Sequence, residues 1–548
     1  MNAEENIICT GDVNFEMPKF GSYGEYILKE TIKNGIQVLM IDSETEEVLT
    51  NQKLVQNVLQ NIYVLQKLNL KAGDIICILS ENRLEYFVPL IASLCLGITI
   101  ATINPSLTDS ELLHCMDVSK PKVVFSSAYS LKNLLSILNK CSYIQSIVCF
   151  DNISIPTNNV PVQYYSYKKL MEQTKNSMLN IRKFPFQQFN LKETIALIMY
   201  SSGTTGLPKG VMLTLHNLMY LHKTLNLPQY YLDDSTDVTI SILPMYHSFG
   251  CIGHLNAFTK QITMVQLKKF DPERYFQLNE KYQATLCAVV PPICVLFAKS
   301  PLLNRYDLSS IKKIRCGAAP LSQSLEKQVT ARLNLDFIRQ GYGLTETTLV
   351  VTMYPKGMTL KSGSVGPPLI GVKAKVVDVT TGKALGPYEK GELCFKSDTC
   401  TKGYYNNPEA TAEIIDSDGW LHTGDVGYYD SDYCFYIVDR IKQLIKVKGL
   451  QVAPAEIEAV LLQNPKIKDA GVIGVPDERS GELPLAFVVR QPNSNITELE
   501  VAKFVEDRLS PYKHLKGGIR FVNEIPKNPS GKILRNKLKD LLNDKSKL

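Results

Sequence analysis

Short apolar runs alternate with amphipathic stretches from residue 50 to about residue 350. Ile75–Leu79, Lys122–Phe125, Ser146–Phe150 and Thr285–Val290 have the near-continuous apolar texture of strands buried on both faces. Between them, Leu54–Leu68 and Leu321–Leu333 repeat apolar residues at helical spacing. Buried strands separated by helices predict a parallel α/β architecture. Tyr86–Asn104 carries no charge, yet Pro89, Gly97 and the closing Asn104-Pro105 predict a buried helix passing into a buried strand rather than a membrane span.

The texture then changes twice. From Gly363 to Val438, short alternating runs with glycine turns, such as Val372–Val377 and Glu392–Phe395, predict a small antiparallel sheet or barrel. After Asp439-Arg440, a helix at Pro454–Leu462, strands at Ala470–Val475 and Leu485–Val489, and a helix at Glu498–Leu509 predict a compact α+β domain. A chain of 548 residues exceeds the size of a single core. The expected division is therefore 1–439, with the barrel-like part at 363–438, and 440–548. The stretch up to Phe20 carries no motif that predicts a role.

Composition narrows the functional classes. Hydrophobic residues at 45% and charged residues at 21% are ordinary for a globular protein. The net charge of +6 is spread in pairs such as Lys268-Lys269 and Lys312-Lys313, which read as solvated faces and argue against a nucleic-acid partner. Thirteen scattered cysteines without a Cys-x-x-Cys pair argue against a disulfide framework or structural zinc, and for a reducing compartment. Met1–Glu5 shows no secretory signal. Ser546-Lys547-Leu548 is the tripeptide read by the peroxisomal import receptor, which predicts that partner and that location.

The candidate chemistry begins where Ile195–Tyr200 feeds Ser201-Ser202-Gly203-Thr204-Thr205-Gly206-Leu207-Pro208-Lys209-Gly210. Glycines let a backbone turn its N–H groups inward, while hydroxyls and a lysine complete a cradle for phosphate oxygens. The spacing is not that of a Walker A loop. In Gln340–Thr347, Gly341 and Gly343 flank Tyr342, which can stack on a purine, and Thr345 with Glu346 can hold a phosphate-bound Mg²⁺. A glycine-rich turn capping a helix is the alternative there. Asp425, in Gly419-Trp420-Leu421-His422-Thr423-Gly424-Asp425, suits a ribose diol. Asp439–Lys442, Lys446–Gly449 and Pro529–Lys532 would by themselves be solvated surface charges.

Taken together and in order, these four motifs resemble the adenylate-forming superfamily of acyl-CoA synthetases, 4-coumarate–CoA ligases, beetle luciferases and nonribosomal-peptide adenylation domains. The resemblance covers essentially the whole chain and looks nearest to insect luciferase-like fatty acyl-CoA synthetases. It implies a large N-terminal domain of parallel α/β subdomains plus a small β-barrel, followed by a mobile α+β domain. It also implies ATP, Mg²⁺ and coenzyme A as cofactors. On these residues it implies that Ser201–Lys209 closes over the β- and γ-phosphates, and that Thr345 and Glu346 hold phosphate and Mg²⁺. Gly317-Ala318-Ala319-Pro320 and Tyr342 would frame the adenine, and Asp425 and Arg440 would grip the ribose. Lys532, assisted by Gln451, would bridge the carboxylate and the α-phosphate. The small domain would rotate about Asp439–Lys442, bringing Lys446 into the site and Lys448-Gly449 near the pantetheine tunnel. His247 and Phe249 would wall the acyl pocket.

Beetle luciferases generally carry a serine where this chain has Leu349, and an arginine at the position Leu221 occupies in a loose alignment. The leucines suit an alkyl chain, which favours a medium- to long-chain fatty acyl-CoA synthetase. A luciferin 4-monooxygenase and a 4-coumarate-type ligase remain the alternatives. A protein that merely binds the nucleotide would have eroded motifs, whereas Lys209, Glu346 and Lys532 are all present.

Overall fold

The apolar runs pair as their texture requires. The computed structural model describes residues 6–12, 17, 20–33, 35–152, 161–174, 180–201, 207–448, 450–529 and 531–543. Its largest sheet has seven strands in the order Lys209–Thr214, Ile195–Ser201, Thr99–Ile103, Ile75–Leu79, Val123–Ser126, Ser146–Cys149, Gln163–Ser166. All pairings are parallel except the first, which is an antiparallel hairpin.

Alternate residues of each central strand feed two different cores. Ile76, Ile78, Phe125 and Met199 pack with helices Asn51–Lys67 and Phe87–Leu96, whereas Cys77, Leu79, Val124 and Ile198 pack under Asp109–Ser119 and Ala128–Ile137. Both faces are thus covered, as a parallel sheet needs. The uncharged stretch is the helix Phe87–Leu96, stopped by Gly97 at φ 66°, followed by the strand Thr99–Ile103. No helix among the described residues is long and apolar enough to cross a membrane.

Two four-stranded sheets continue the chain. One runs Val238–Ser241, Thr263–Gln266, Val38–Asp42, Val48–Thr50, and the other Leu286–Val289, Lys313–Cys316, Arg339–Tyr342, Thr352–Met353. They abut where Thr285 exchanges hydrogen bonds of 2.9 and 3.1 Å with Val238.

The third texture is an antiparallel sheet ordered Ile8–Cys9, Lys373–Val377, Gly391–Lys396, Leu421–Tyr429, Phe435–Arg440. Its strand path is open, and Gly366 bridges to Phe435 at its far edge. The N-terminal stretch without a motif therefore supplies an edge strand. The last strand ends at Arg440, two residues past the expected limit. From Ile445 onward a separate core forms around strands Ile445–Val447, Ile467–Asp477 and Gly481–Arg490. This C-terminal unit touches the rest where Lys299 Nζ donates to the Ile467 carbonyl at 2.7 Å. All thirteen cysteines are free thiols.

Candidate active site

The site is assembled at the ends of strands from every sheet. In the hairpin, Ser201 stands opposite Lys209. Ser202, Gly203, Thr204, Thr205 and Gly206 lie outside the described residues, as do Gly449 and Ser546-Lys547-Leu548. The Ser201 hydroxyl donates to Glu346 Oε1 at 2.8 Å, and the Tyr404 hydroxyl donates to the same oxygen at 2.9 Å. The Lys209 ammonium lies 5.0 Å from the centroid of the Tyr404 ring. One carboxylate oxygen is thus fixed by two hydroxyls, and no described residue donates to the other. That donor set fits a hard cation such as Mg²⁺.

Glu346 sits in the single 3-10 turn Thr345–Thr347, and the next residue, Thr348, has φ 69°. Gly343 is needed just before it, because a Cβ there would meet the Leu349 carbonyl oxygen at 2.1 Å. Ala318 also holds a left-handed backbone, φ 72°, at the cavity wall. Such strain persists only where surrounding contacts over-determine it, and it gathers at functional sites.

Tyr342 does more than offer a ring face. Its hydroxyl donates to Asp425 Oδ2 at 2.7 Å, and Arg440 Nε lies 3.0 Å from Asp425 Oδ1. Burial raises the Asp425 pKa, an effect that the Arg440 charge and the tyrosine hydrogen bond only partly oppose. Burial, then the charge of Arg440, pushes the Lys532 ammonium down to about 8. His247 opens the helix Ser248–Lys260, and burial lowers its pKa to about 4, so its ring is neutral near pH 7.

These groups share one cavity of about 720 Å³. Ser201, Lys209, Thr345, Glu346, Arg440 and Lys532 line its polar side. Gly317, Ala318, Gly341, Tyr342 and Gly343 line its floor, and His247, Phe249 and Leu349 line its apolar branch. Other expected residues are not brought to the wall. Ala319 and Asp425 stand behind it, Asp425 acting on it through Tyr342 and Arg440. Leu221 is fully buried in the helix Leu215–Leu225, and Leu225 reaches the cavity in its place. Its pocket role is therefore corrected.

Lys446, Lys448 and Gln451 are exposed on the hairpin that follows Arg440, with Gln451 the register partner of Lys446. In this arrangement Gln451 does not assist Lys532. The sequence reading missed Tyr404, which comes from a loop without a distinctive motif. It also missed Lys260, Asp233, Arg315 and Arg339, which line the same cavity. A lone lysine closing the apolar segment 248–260 was the available signal for that group.

Two family models match the chain: AMP-binding enzyme over residues 34–405 and AMP-binding enzyme C-terminal domain over 456–532. A luciferin 4-monooxygenase of Photuris pensylvanica is 42% identical over 511 residues, covering 91% of this chain and 93% of its own length. A probable 4-coumarate–CoA ligase 3 of Dictyostelium discoideum is 37% identical over 533 residues, covering 94% of each. Among solved structures, ATP-bound MatB from Rhodopseudomonas palustris superposes with a TM-score of 0.82 at 27% identity, over 95% of this chain and 99% of that one.

Proposed function

The chain belongs to the ATP-dependent, adenylate-forming AMP-binding enzymes, and from that premise we propose that it is a fatty acyl-CoA synthetase acting on a medium- to long-chain acid. The observation that carries this reading is the junction of two environments in one cavity. Glu346, Lys209 and Lys532 line a polar end suited to a polyphosphate, and His247, Phe249 and Leu349 begin an apolar branch suited to an acyl chain.

A carboxylate is a poor electrophile at neutral pH. In the first half-reaction its oxygen attacks the α-phosphorus of ATP, the bond to the β-phosphate oxygen breaks, and pyrophosphate leaves an acyl-AMP. Lys532 neutralises charge as the two anions meet, and neutral His247 orients the carboxylate by hydrogen bonding. Thr345 and Glu346 would hold a Mg²⁺ whose contribution, when bound, is to offset phosphate charge. In the second half-reaction the thiol of coenzyme A forms the thioester bond to the acyl carbon, loses its proton and displaces AMP. For this step the C-terminal domain rotates about Asp439–Lys442, withdrawing Lys532 and presenting Lys446. The exposure of Lys446, which does not line the cavity, supports that reading. Import into peroxisomes through Ser546-Lys547-Leu548 completes the proposal, and removing those residues from a fluorescently tagged protein should disperse it.

A paired assay tests the function. With ATP and Mg²⁺, one arm contains dodecanoic acid and coenzyme A, and the other contains beetle luciferin in air. Acyl-CoA with negligible light supports the synthetase. Strong light without acyl-CoA favours a luciferase, and activity confined to 4-coumarate favours the plant-type ligase.

A further inference from the structure

The apolar branch does not end in apolar residues. The helix Ser248–Lys260 follows it, with Phe249, Gly253, Asn256, Ala257 and Lys260 on the cavity face at spacings of three or four residues. A Cβ on Gly253 would meet nothing within 4 Å, so the cavity is open alongside the middle of the helix. From Ser248 to Lys260 the axis advances about 18 Å, which sets Lys260 far from the reacting end at His247.

Lys260 is only 4% exposed, yet no carboxylate lies within ion-pair distance of its ammonium among the described residues. Its nearest recorded partner is the face of the Tyr231 ring, 4.8 Å from the ammonium. Of the nearby acids, Asp233 pairs through Oδ2 with Arg315 at 2.6 Å, its Oδ1 having no hydrogen-bond partner among the described residues, and Asp237 takes Lys313 at 2.6 Å. Asp234 is exposed beside them. Arg339, also on the cavity wall, has only the Tyr354 carbonyl at 3.5 Å and the Phe337 ring. Lys260 and Arg339 both line the cavity, and neither has a carboxylate within ion-pair distance among the described residues. Burial, then the charge of Arg315, lowers the Lys260 pKa to about 8, so it is mostly charged near neutrality. A buried, unpaired ammonium is costly unless an anion joins it.

We propose that the acid this site activates carries a second anionic group at its far end, docked on Lys260, so that the preferred substrate is a long α,ω-dicarboxylic acid activated at one end. This inference rests on the fatty-acid reading and refines it.

The test compares kcat/KM for acyl-CoA formation from dodecanoic acid, dodecanedioic acid and 12-aminododecanoic acid. The wild type should prefer the diacid over the monoacid by about tenfold to a hundredfold, the scale of one charge-assisted contact against an unpaired buried group. Lys260→Met should lower that ratio by a similar factor, chiefly through KM for the diacid. The wild-type ratio needs no variant, so the test survives a poorly folding substitution. Turnover of the monoacid with no gain for the diacid overturns this inference alone. Preference for the amino acid overturns it in favour of Asp233 as the docking group, and a ratio unmoved in Lys260→Met overturns the assignment to Lys260. No thioester from any of the three overturns the fatty-acid reading and this inference with it.

Discussion

The proposed function divides the two half-reactions between Lys532 and Lys446. Lys532 lines the cavity beside Arg440, whereas Lys446 faces solvent on the following hairpin. Lys532→Ala should lower adenylation by about a hundredfold to a thousandfold, the usual cost of losing one group aimed at developing charge. It should leave thioester formation from supplied acyl-AMP largely intact. Lys446→Ala should do the reverse, and equal loss of both steps in each variant would contradict domain rotation. Lys532 also sets a pH limb. Its ammonium is held at about 8, so kcat/KM for adenylation should fall as pH rises through about 8, because the charged form is the active one. Lys532→Arg should remove that limb even where it lowers the rate. Such residues were legible only through the family resemblance, because by themselves lysines in short polar runs read as solvated surface charges. Tyr404 and Lys260 were not, because each gains its meaning from a contact across the fold: Tyr404 with Glu346, and Lys260 with a cavity wall built from other segments.

At the scale of elements, the turn from Tyr342 to Leu349 fixes the geometry of the nucleotide side. Gly343→Ala would drive a Cβ into the Leu349 carbonyl, and that backbone cannot yield without moving Glu346. The expected cost is about 1–3 kcal/mol of stability, read as a lower denaturant midpoint, together with a raised KM for ATP. An unchanged midpoint would show that the turn relaxes freely. Tyr342→Phe should act more narrowly. Removing the donor to the buried Asp425 leaves an acceptor short of a partner, costing about 1–3 kcal/mol, and loosens Arg440 at the cavity wall. Of the parallel sheet, Ile75–Leu79, Val123–Ser126, Ser146–Cys149 and Ile195–Ser201 were legible from their apolar runs to within a residue or two, whereas Gln163–Ser166, half-exposed and polar, was not. Ile8–Cys9 was not, because two residues carry no periodicity and the pairing with Lys373–Ala374 is more than 350 positions away. The expected small antiparallel sheet or barrel is the five-stranded antiparallel sheet, legible because its short runs alternate between glycine turns. Leu221 was misplaced because a helix position aligned loosely in sequence cannot say which face meets the cavity.

For the whole molecule, the buried His222 and His254 and the half-buried His247 contribute to its acid sensitivity. Burial lowers His222 to about 3 and both His247 and His254 to about 4 from an ordinary 6.5. Between about pH 6.5 and 4 the unfolded chain takes up protons that the folded chain refuses. Stability from this source is therefore complete above pH 6.5 and lost as pH falls toward 4, by up to about 3 kcal/mol for each histidine. Lys260, Lys299 and Lys532, held near 8, alter stability only between about pH 8 and 10.5, where it rises with pH, and add no slope between pH 4 and 6.5. A urea midpoint independent of pH between 6.5 and 4.5 would contradict this. The central claim of the proposed function, however, is that a polyphosphate site and an acyl pocket meet in the one cavity that His247 and Lys532 both line. The most direct measurement is pyrophosphate release from ATP and Mg²⁺ before coenzyme A is added, with and without a long-chain acid. The account predicts a burst close to one pyrophosphate per enzyme that requires the acid and is lost in Lys532→Ala. Release that ignores the acid, or none until coenzyme A is present, would contradict it.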